Sequence, residues 1–175
     1  MAKLSIAVSS KDHQQGDSAA PCTLVEYGDD QCPSCGQAYP IVKRVQKHFG
    51  KRLSFVFRNF PLTEMHPYAE PAAETAEFAG AHHKFWEMHD LLYENQDRLG
   101  DELFAELAGQ LSLDPGEMHR ALKKKTFTDH VRTDFTGGVR SGVNGTPTFF
   151  INDQRYNRPM DYDTMVQAIE EVLAG

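Results

Sequence analysis

Cys32 and Cys35, with two residues between them in Glu26-Tyr-Gly-Asp-Asp-Gln-Cys32-Pro33-Ser34-Cys35, are the side chains of this sequence best suited to chemistry. At positions i and i+3 of a first helical turn, two cysteines share one face and sit close enough to bridge. The first four helical N–H groups lack internal partners and the helix dipole is positive there, so a thiolate at Cys32 is favoured over its thiol. Cys32 is therefore the expected nucleophile. Cys35 lies one turn deeper, where burial raises a thiol pKa, and needs a base before it can attack a mixed disulfide. Glu26, a lone carboxylate in the apolar run Thr23 to Tyr27, is the candidate base. Its bland alternative is a surface carboxylate on an edge strand. The bland alternatives for the cysteines are half a zinc site or two inert thiols. Zinc needs four ligands, and Cys22, His82/His83 and His66/His89 supply no second CxxC or HxxxH. No metal and no cofactor is expected, Cys22 reads as a structural thiol, and the histidines are read as packed or solvated.

The elements that must position this pair follow from periodicity. Thr23 to Tyr27 reads as a strand, and Pro33 to Phe49 as a helix with Ala38, Val42, Val45 and Phe49 on one stripe, ended by Gly50. Leu53 to Phe57 is a second strand, parallel to the first because a helix joins them. Leu4 to Val8 alternates like a short edge strand and Ser9 to Ala20 reads as loop. From about residue 67 to 138 the period is helical, enough for three to five helices, one of them started by Asp114-Pro115-Gly116-Glu117. Val143-Asn144-Gly145 is a turn before the strand Thr148 to Ile151. Asn152-Asp153 then returns the chain along Arg155 to Asn157. Asp161 caps a last helix with Met165, Ile169 and Val172 toward the sheet.

At 175 residues the chain suits one domain, or a core domain with an insertion. A net charge of −7, without a basic stripe, argues against nucleic acid or an anionic membrane as partner. Three cysteines are too few for a secreted disulfide framework. No stretch approaches the roughly 20 apolar residues of a membrane span. The first 16 residues carry no export signal, so the sequence as it stands reads as cytoplasmic; a removed leader would make it periplasmic, and an excised domain is a third origin.

Cys32-Pro-Ser-Cys35 after a strand, Pro40, Glu26 and Gly145-Thr146-Pro147-Thr148-Phe149-Phe150 together resemble the thioredoxin superfamily. Phe57-Arg-Asn-Phe-Pro-Leu62, Lys84-Phe-Trp-Glu-Met-His89 and Ser141-Gly-Val-Asn-Gly-Thr-Pro147 resemble its bacterial DsbA-like branch, over roughly residues 20 to 174. The resemblance implies an α/β thioredoxin-like fold, βαβ plus ββα, over 1–63 and 139–175, with an inserted α-helical domain at 64–138. It implies a protein thiol:disulfide oxidoreductase with catalytic Cys32, Cys35 and Glu26. A cis-proline at Pro147 would leave Thr146 to contact the sulfurs, and Pro33, Ser34, Thr146 and Pro147 would bind substrate. Partners would be cysteine-containing proteins or peptides, with a redox protein or glutathione as the second couple. Rival readings are a non-catalytic thioredoxin-like binding domain cut from a larger membrane protein, and a glutathione-transferase or isomerase-like member of the fold. Ser34 departs from the pattern, because DsbA-type oxidases carry histidine there. Losing that cation implies a less acidic Cys32 and a more reducing couple than in DsbA. Asn59 also stands where many relatives carry histidine.

Overall fold

Residues 2–175 are described by a computed structural model. Its framework is a five-stranded sheet of order β1-β3-β2-β4-β5, formed by β1 (His13–Gly16), β2 (Cys22–Gly28), β3 (Leu53–Asn59), β4 (Thr148–Ile151) and β5 (Gln154–Arg155). The apolar β2 is central, parallel to β3 and antiparallel to β4; β1 and β5 close the edges antiparallel to β3 and β4. Both faces of β2 and β3 are buried, as their near-continuous apolar runs require.

Side-chain alternation sets what each face holds. Leu24, Phe55, Phe57, Phe149 and Ile151 enter the larger core beneath α1 (Pro33–Phe49) and α7 (Tyr162–Ala174). Val25, Tyr27, Val56 and Phe150 enter a smaller core with Phe60 and Val143 on the other face. Glu26 is in phase with Leu24, so the pleat aims it at the α1 side, under the cysteines.

Between β3 and β4 the chain runs through α2 (Ala69–Ala81), α3 (Phe85–Glu94), α4 (Asp101–Gln110), α5 (Pro115–Lys123) and α6 (Thr128–Arg140). Asp114 caps α5, accepting from the Gly116 and Glu117 N–H groups, with Pro115 at the first helical position. The end of α6 packs directly on the sheet. A Cβ at Gly138 would come within 2.7 Å of the Phe60 ring, so only glycine allows this approach. The expected boundary at residue 138 therefore falls within this helix. Among the described residues no helix is long and apolar enough to cross a membrane.

Four expectations are corrected. Leu4 to Val8 is not a strand. Only Lys3 forms a bridge, to Gln154, and the Leu4 N–H donates to the Asp153 carbonyl; beyond them the Ser5 N–H donates to Ser141 Oγ and the Ile6 and Ala7 carbonyls accept from Arg58, so side chains take up that backbone. The first strand lies instead in the polar stretch read as loop. β1 pairs residue by residue with β3, and Gly16, at φ 89°, permits a close approach to the Leu53 carbonyl. The return strand is only Gln154–Arg155, and Val172 is 38% exposed rather than turned to the sheet.

Candidate active site

β2 delivers the chain to a tight turn, Asp29-Asp30-Gln31, that leads into α1. Cys32 is the N-cap of α1 in extended conformation, its N–H donates to the Asp29 carbonyl at 3.0 Å, and its own carbonyl accepts from Gly36 N–H at 3.0 Å. Pro33 at the first helical position costs no hydrogen bond, because that N–H would have no helical partner. Asp29 ties the turn together, accepting from Gln31 N–H (2.8 Å), Leu62 N–H (2.9 Å) and His66 Nδ1 (2.8 Å). From the helical block Gln96 Nε2 donates to the Asp30 carbonyl at 2.9 Å and the Cys32 carbonyl at 2.8 Å. A Cβ at Gly36 would collide with that amide. Glycine at 36 thus lets the insertion hold the active-site turn.

Both cysteines stand as free thiols in this structure. Cys32 is 6% exposed and Cys35 is fully buried, while Pro33 and Ser34 between them face solvent. The Cys32 thiol donates to the Thr146 carbonyl at 3.5 Å, and Asp29 N–H donates to Cys35 Sγ at 3.5 Å. A cis Thr146–Pro147 peptide brings the β4 end of the chain against the pair. Cys32 is pulled down to about 5, first by the hydrogen bond from the Cys35 thiol, opposed by burial and aided by Thr146 and the N–H groups of Cys35 and Ser34. The Thr146 hydroxyl is buried with no hydrogen-bond partner. Cys35 is pushed far up by burial, then by its bond to Cys32 and the charge of Glu26. At neutral pH this leaves one nucleophilic thiolate backed by one thiol.

Glu26 is 4% exposed on a central strand, which removes the surface reading. Burial, then Asp30 and Cys32, raise it to about 8. Glu26 and Cys35 line a cavity of about 10 Å3, with Tyr39, His89 and Tyr93 on its walls, which is the space of about one water. His89 is buried and held neutral, its pKa driven down to about 3 by burial, consistent with a packing role among Phe57, Phe85 and Tyr93. Cys22 is fully buried, and burial pushes its thiol up to about 11, so it is unreactive near neutrality.

Two residues at the turn escaped the sequence reading. Asp30 is 3% exposed with both carboxylate oxygens unpartnered, and burial, Asp29 and Glu77 raise it to about 8. In a Gly-Asp-Asp stretch an aspartate signals a turn, and nothing local says that the turn is roofed by helices. Gln96 is 61 residues from Cys35 and carries no motif. Only tertiary packing brings it to the turn.

The family model described as Thioredoxin matches residues 9–171. The chain belongs to the thioredoxin family. Its fold is that of the DsbA-like oxidoreductases, with helices inserted between the two halves of the sheet. Oxidised BdbD from Bacillus subtilis covers the whole chain and is wholly covered, with TM-score 0.89 and 28% identity. Wolbachia pipientis α-DsbA1 shares the fold at TM-score 0.83 and 18% identity, over 97% of this chain and 94% of that one. In sequence, the chain is 40% identical over 94% of its length to a protein named Na(+)/H(+) antiporter NhaA 1 of Salinispora arenicola. It is 38% identical over 94% of its length to an NhaA 3 of Salinispora tropica. In each case it spans 25% of the relative's own length.

Proposed function

We propose that this chain is a protein thiol:disulfide oxidoreductase whose couple is Cys32/Cys35. The observation that carries the reading is the split between the two thiols: Cys32 drawn down to about 5 at a helix N-terminus, and Cys35 buried and pushed up behind it. In the reducing direction Cys32 thiolate attacks one sulfur of a substrate disulfide, forming a mixed disulfide and releasing the other sulfur as a thiolate. Cys35 then gives its proton through one water to Glu26 carboxylate and attacks Cys32 Sγ. The second substrate thiolate leaves, and Cys32 and Cys35 end as a disulfide, two electrons having passed to the substrate. The reverse sequence oxidises a dithiol. A carboxyl titrating near 8 can accept or return that proton at neutral pH. Exposed Pro33 and Ser34 and the Thr146–Pro147 segment flank Cys32 and would seat an extended substrate segment. Partners would be cysteine-containing proteins, recharged by a redox protein or glutathione. Whether the compartment is cytoplasmic or periplasmic sets the direction of flow.

The antiporter-named relatives support a second reading, in which the chain acts on, or binds beside, a membrane transporter. One experiment separates a catalytic chain from one that only binds. With Cys35→Ser the resolving thiol is gone, so a disulfide-bonded peptide should accumulate as an adduct on Cys32 that dithiothreitol releases. A folded variant that forms no adduct would leave the binding-module reading standing.

A further inference from the structure

Away from the dithiol, four side chains from three elements converge where the edge of the sheet meets the inserted helices. His13 on β1 places Nε2 at 2.9 Å from both Glu77 carboxylate oxygens on α2. His130 on α6 places its Nε2 at 3.3 Å from Glu77 Oε1 and 3.7 Å from Asp134 Oδ2. The ligating atoms of His13, Glu77 and His130 all lie within 4.8 Å of one another. We propose that His13, Glu77 and His130, completed by Asp134, form a binding site for a divalent first-row transition ion, Zn2+ foremost.

Three observations carry this assignment. First, the 3.3 Å between His130 Nε2 and Glu77 Oε1 suits co-ligands better than hydrogen-bond partners. Atoms on neighbouring vertices of a tetrahedron with bonds of about 2.0–2.1 Å stand about 3.3–3.4 Å apart, beyond the 2.7–3.2 Å of an ordinary N–H···O bond. Second, the carboxylates lack a fixed counter-charge. Glu77 and Asp134 side chains are 5% and 14% exposed, and among the described residues no Lys or Arg nitrogen lies within 4 Å of either. A 2+ ion would balance both charges from one point, without calling on both imidazoles to carry a proton. Third, a supporting shell is already built. Asn59 Nδ2 donates to Glu77 Oε2 at 2.8 Å and Asp134 Oδ2 at 3.0 Å, and Asn59 N–H donates to the same Asp134 oxygen at 2.9 Å. These bonds hold both carboxylates in place: Glu77 Oε1 is left to the two imidazoles, His13 also meets Oε2, and the Asp134 oxygen nearest His130 is the one Asn59 holds, the support metal sites rely on. His13 is further held by stacking on Phe85 at 3.6 Å.

Two imidazoles with two carboxylates suit Zn2+ and its neighbours rather than Ca2+ or Mg2+, which prefer oxygen. An open cleft of about 690 Å3, lined in part by His130 and Asp134, gives the ion a way in. Bound there, it would tie β1 to α2 and α6, clamping the sheet edge to the insertion that holds the active-site turn. The clamp is structural and does not depend on the redox reading.

The test uses the full chain with Cys32 and Cys35 oxidised to a disulfide, so that the thiols cannot compete for metal. Calorimetric titration with Zn2+ should show one saturable site with Kd below about 10 µM, and thermal unfolding should shift upward by several degrees. Co2+ in the same site should give the visible bands of a four-coordinate ion. Glu77→Gln should weaken Zn2+ binding at least 100-fold. His130→Ala, at a side chain 38% exposed and so the milder change to the fold, should weaken it at least tenfold. No saturable site, equal affinity in wild type and both variants, or tighter binding of Ca2+ than of Zn2+ would each overturn the proposal.

Discussion

Cys32→Ser is expected to lower turnover of a disulfide substrate by at least about 10^3-fold while the protein stays folded. A serine hydroxyl at the same N-cap does not ionise near neutrality, so the step that opens the substrate disulfide has no nucleophile. Cys35 cannot take over, since it is fully buried and its thiol is held protonated. The check is the initial rate of reduction of a disulfide-bonded peptide, with Cys22→Ser as the control expected to stay close to wild type. Turnover within tenfold of wild type in Cys32→Ser would contradict the assignment and favour the hydroxyl chemistry of a transferase-like relative.

Glu26→Gln is expected to move stability and resolution in opposite directions. The folded protein holds the Glu26 proton up to about 8, whereas an unfolded chain releases it near 4.5. Between those values the native state binds the extra proton, so this group's contribution to stability falls as pH rises from about 4.5 to about 8 and is constant beyond. Glutamine carries no charge, removes that fall, and should leave the variant more stable than wild type at pH 8.5 by roughly 2 to 5 kcal/mol, with little difference at pH 4.5. The comparison belongs on the oxidised protein, where Cys32 does not titrate; Glu26 there loses the push of the Cys32 thiolate but keeps burial, the largest cause of its shift. In the reduced protein its thiol is depressed to about 5, which adds stability as pH rises and masks part of the effect. Asp30, also raised to about 8, should leave a residual slope in the variant. Kinetically, Glu26→Gln should slow release of the mixed disulfide about 10- to 100-fold at neutral pH, because the Cys35 proton loses its acceptor. Equal pH–stability curves for variant and wild type would refute the buried-base assignment.

The strand, dithiol turn and helix of residues 22 to 49 could be read from sequence because each signal there is local: β-rich residues, a Gly/Asp turn, a proline at the first helical position and a 3.6-residue apolar stripe. The insertion was legible as helices for the same reason. What failed to show were features made by pairing rather than by pattern. β1 is four mostly polar residues that become a strand because β3 offers an unpaired edge, and Leu4 to Val8 alternates like a strand but has its backbone claimed by Arg58 and Ser141. Glu26 stood out as a charge in an apolar run and through the family resemblance; that its strand is central, and that its phase aims it under Cys35, came from the sheet order. Asp30, Gln96 and the His13–Glu77–His130 cluster depend on contacts across tens of residues. No local signal marks them.

The most direct test of the central claim is the reduction potential of the Cys32/Cys35 pair, read by equilibrating the protein in glutathione buffers and counting alkylated thiols by mass spectrometry. A Cys32 pKa of about 5 lies between about 3.5 for DsbA and about 7 for thioredoxin, so the couple should lie between about −120 and about −270 mV. Two thiols should disappear together and reversibly across the transition, with Cys22 still alkylated after unfolding. Three alkylated thiols at every buffer ratio would show that the pair does not cycle, and the chain would then be a thioredoxin-fold binding module.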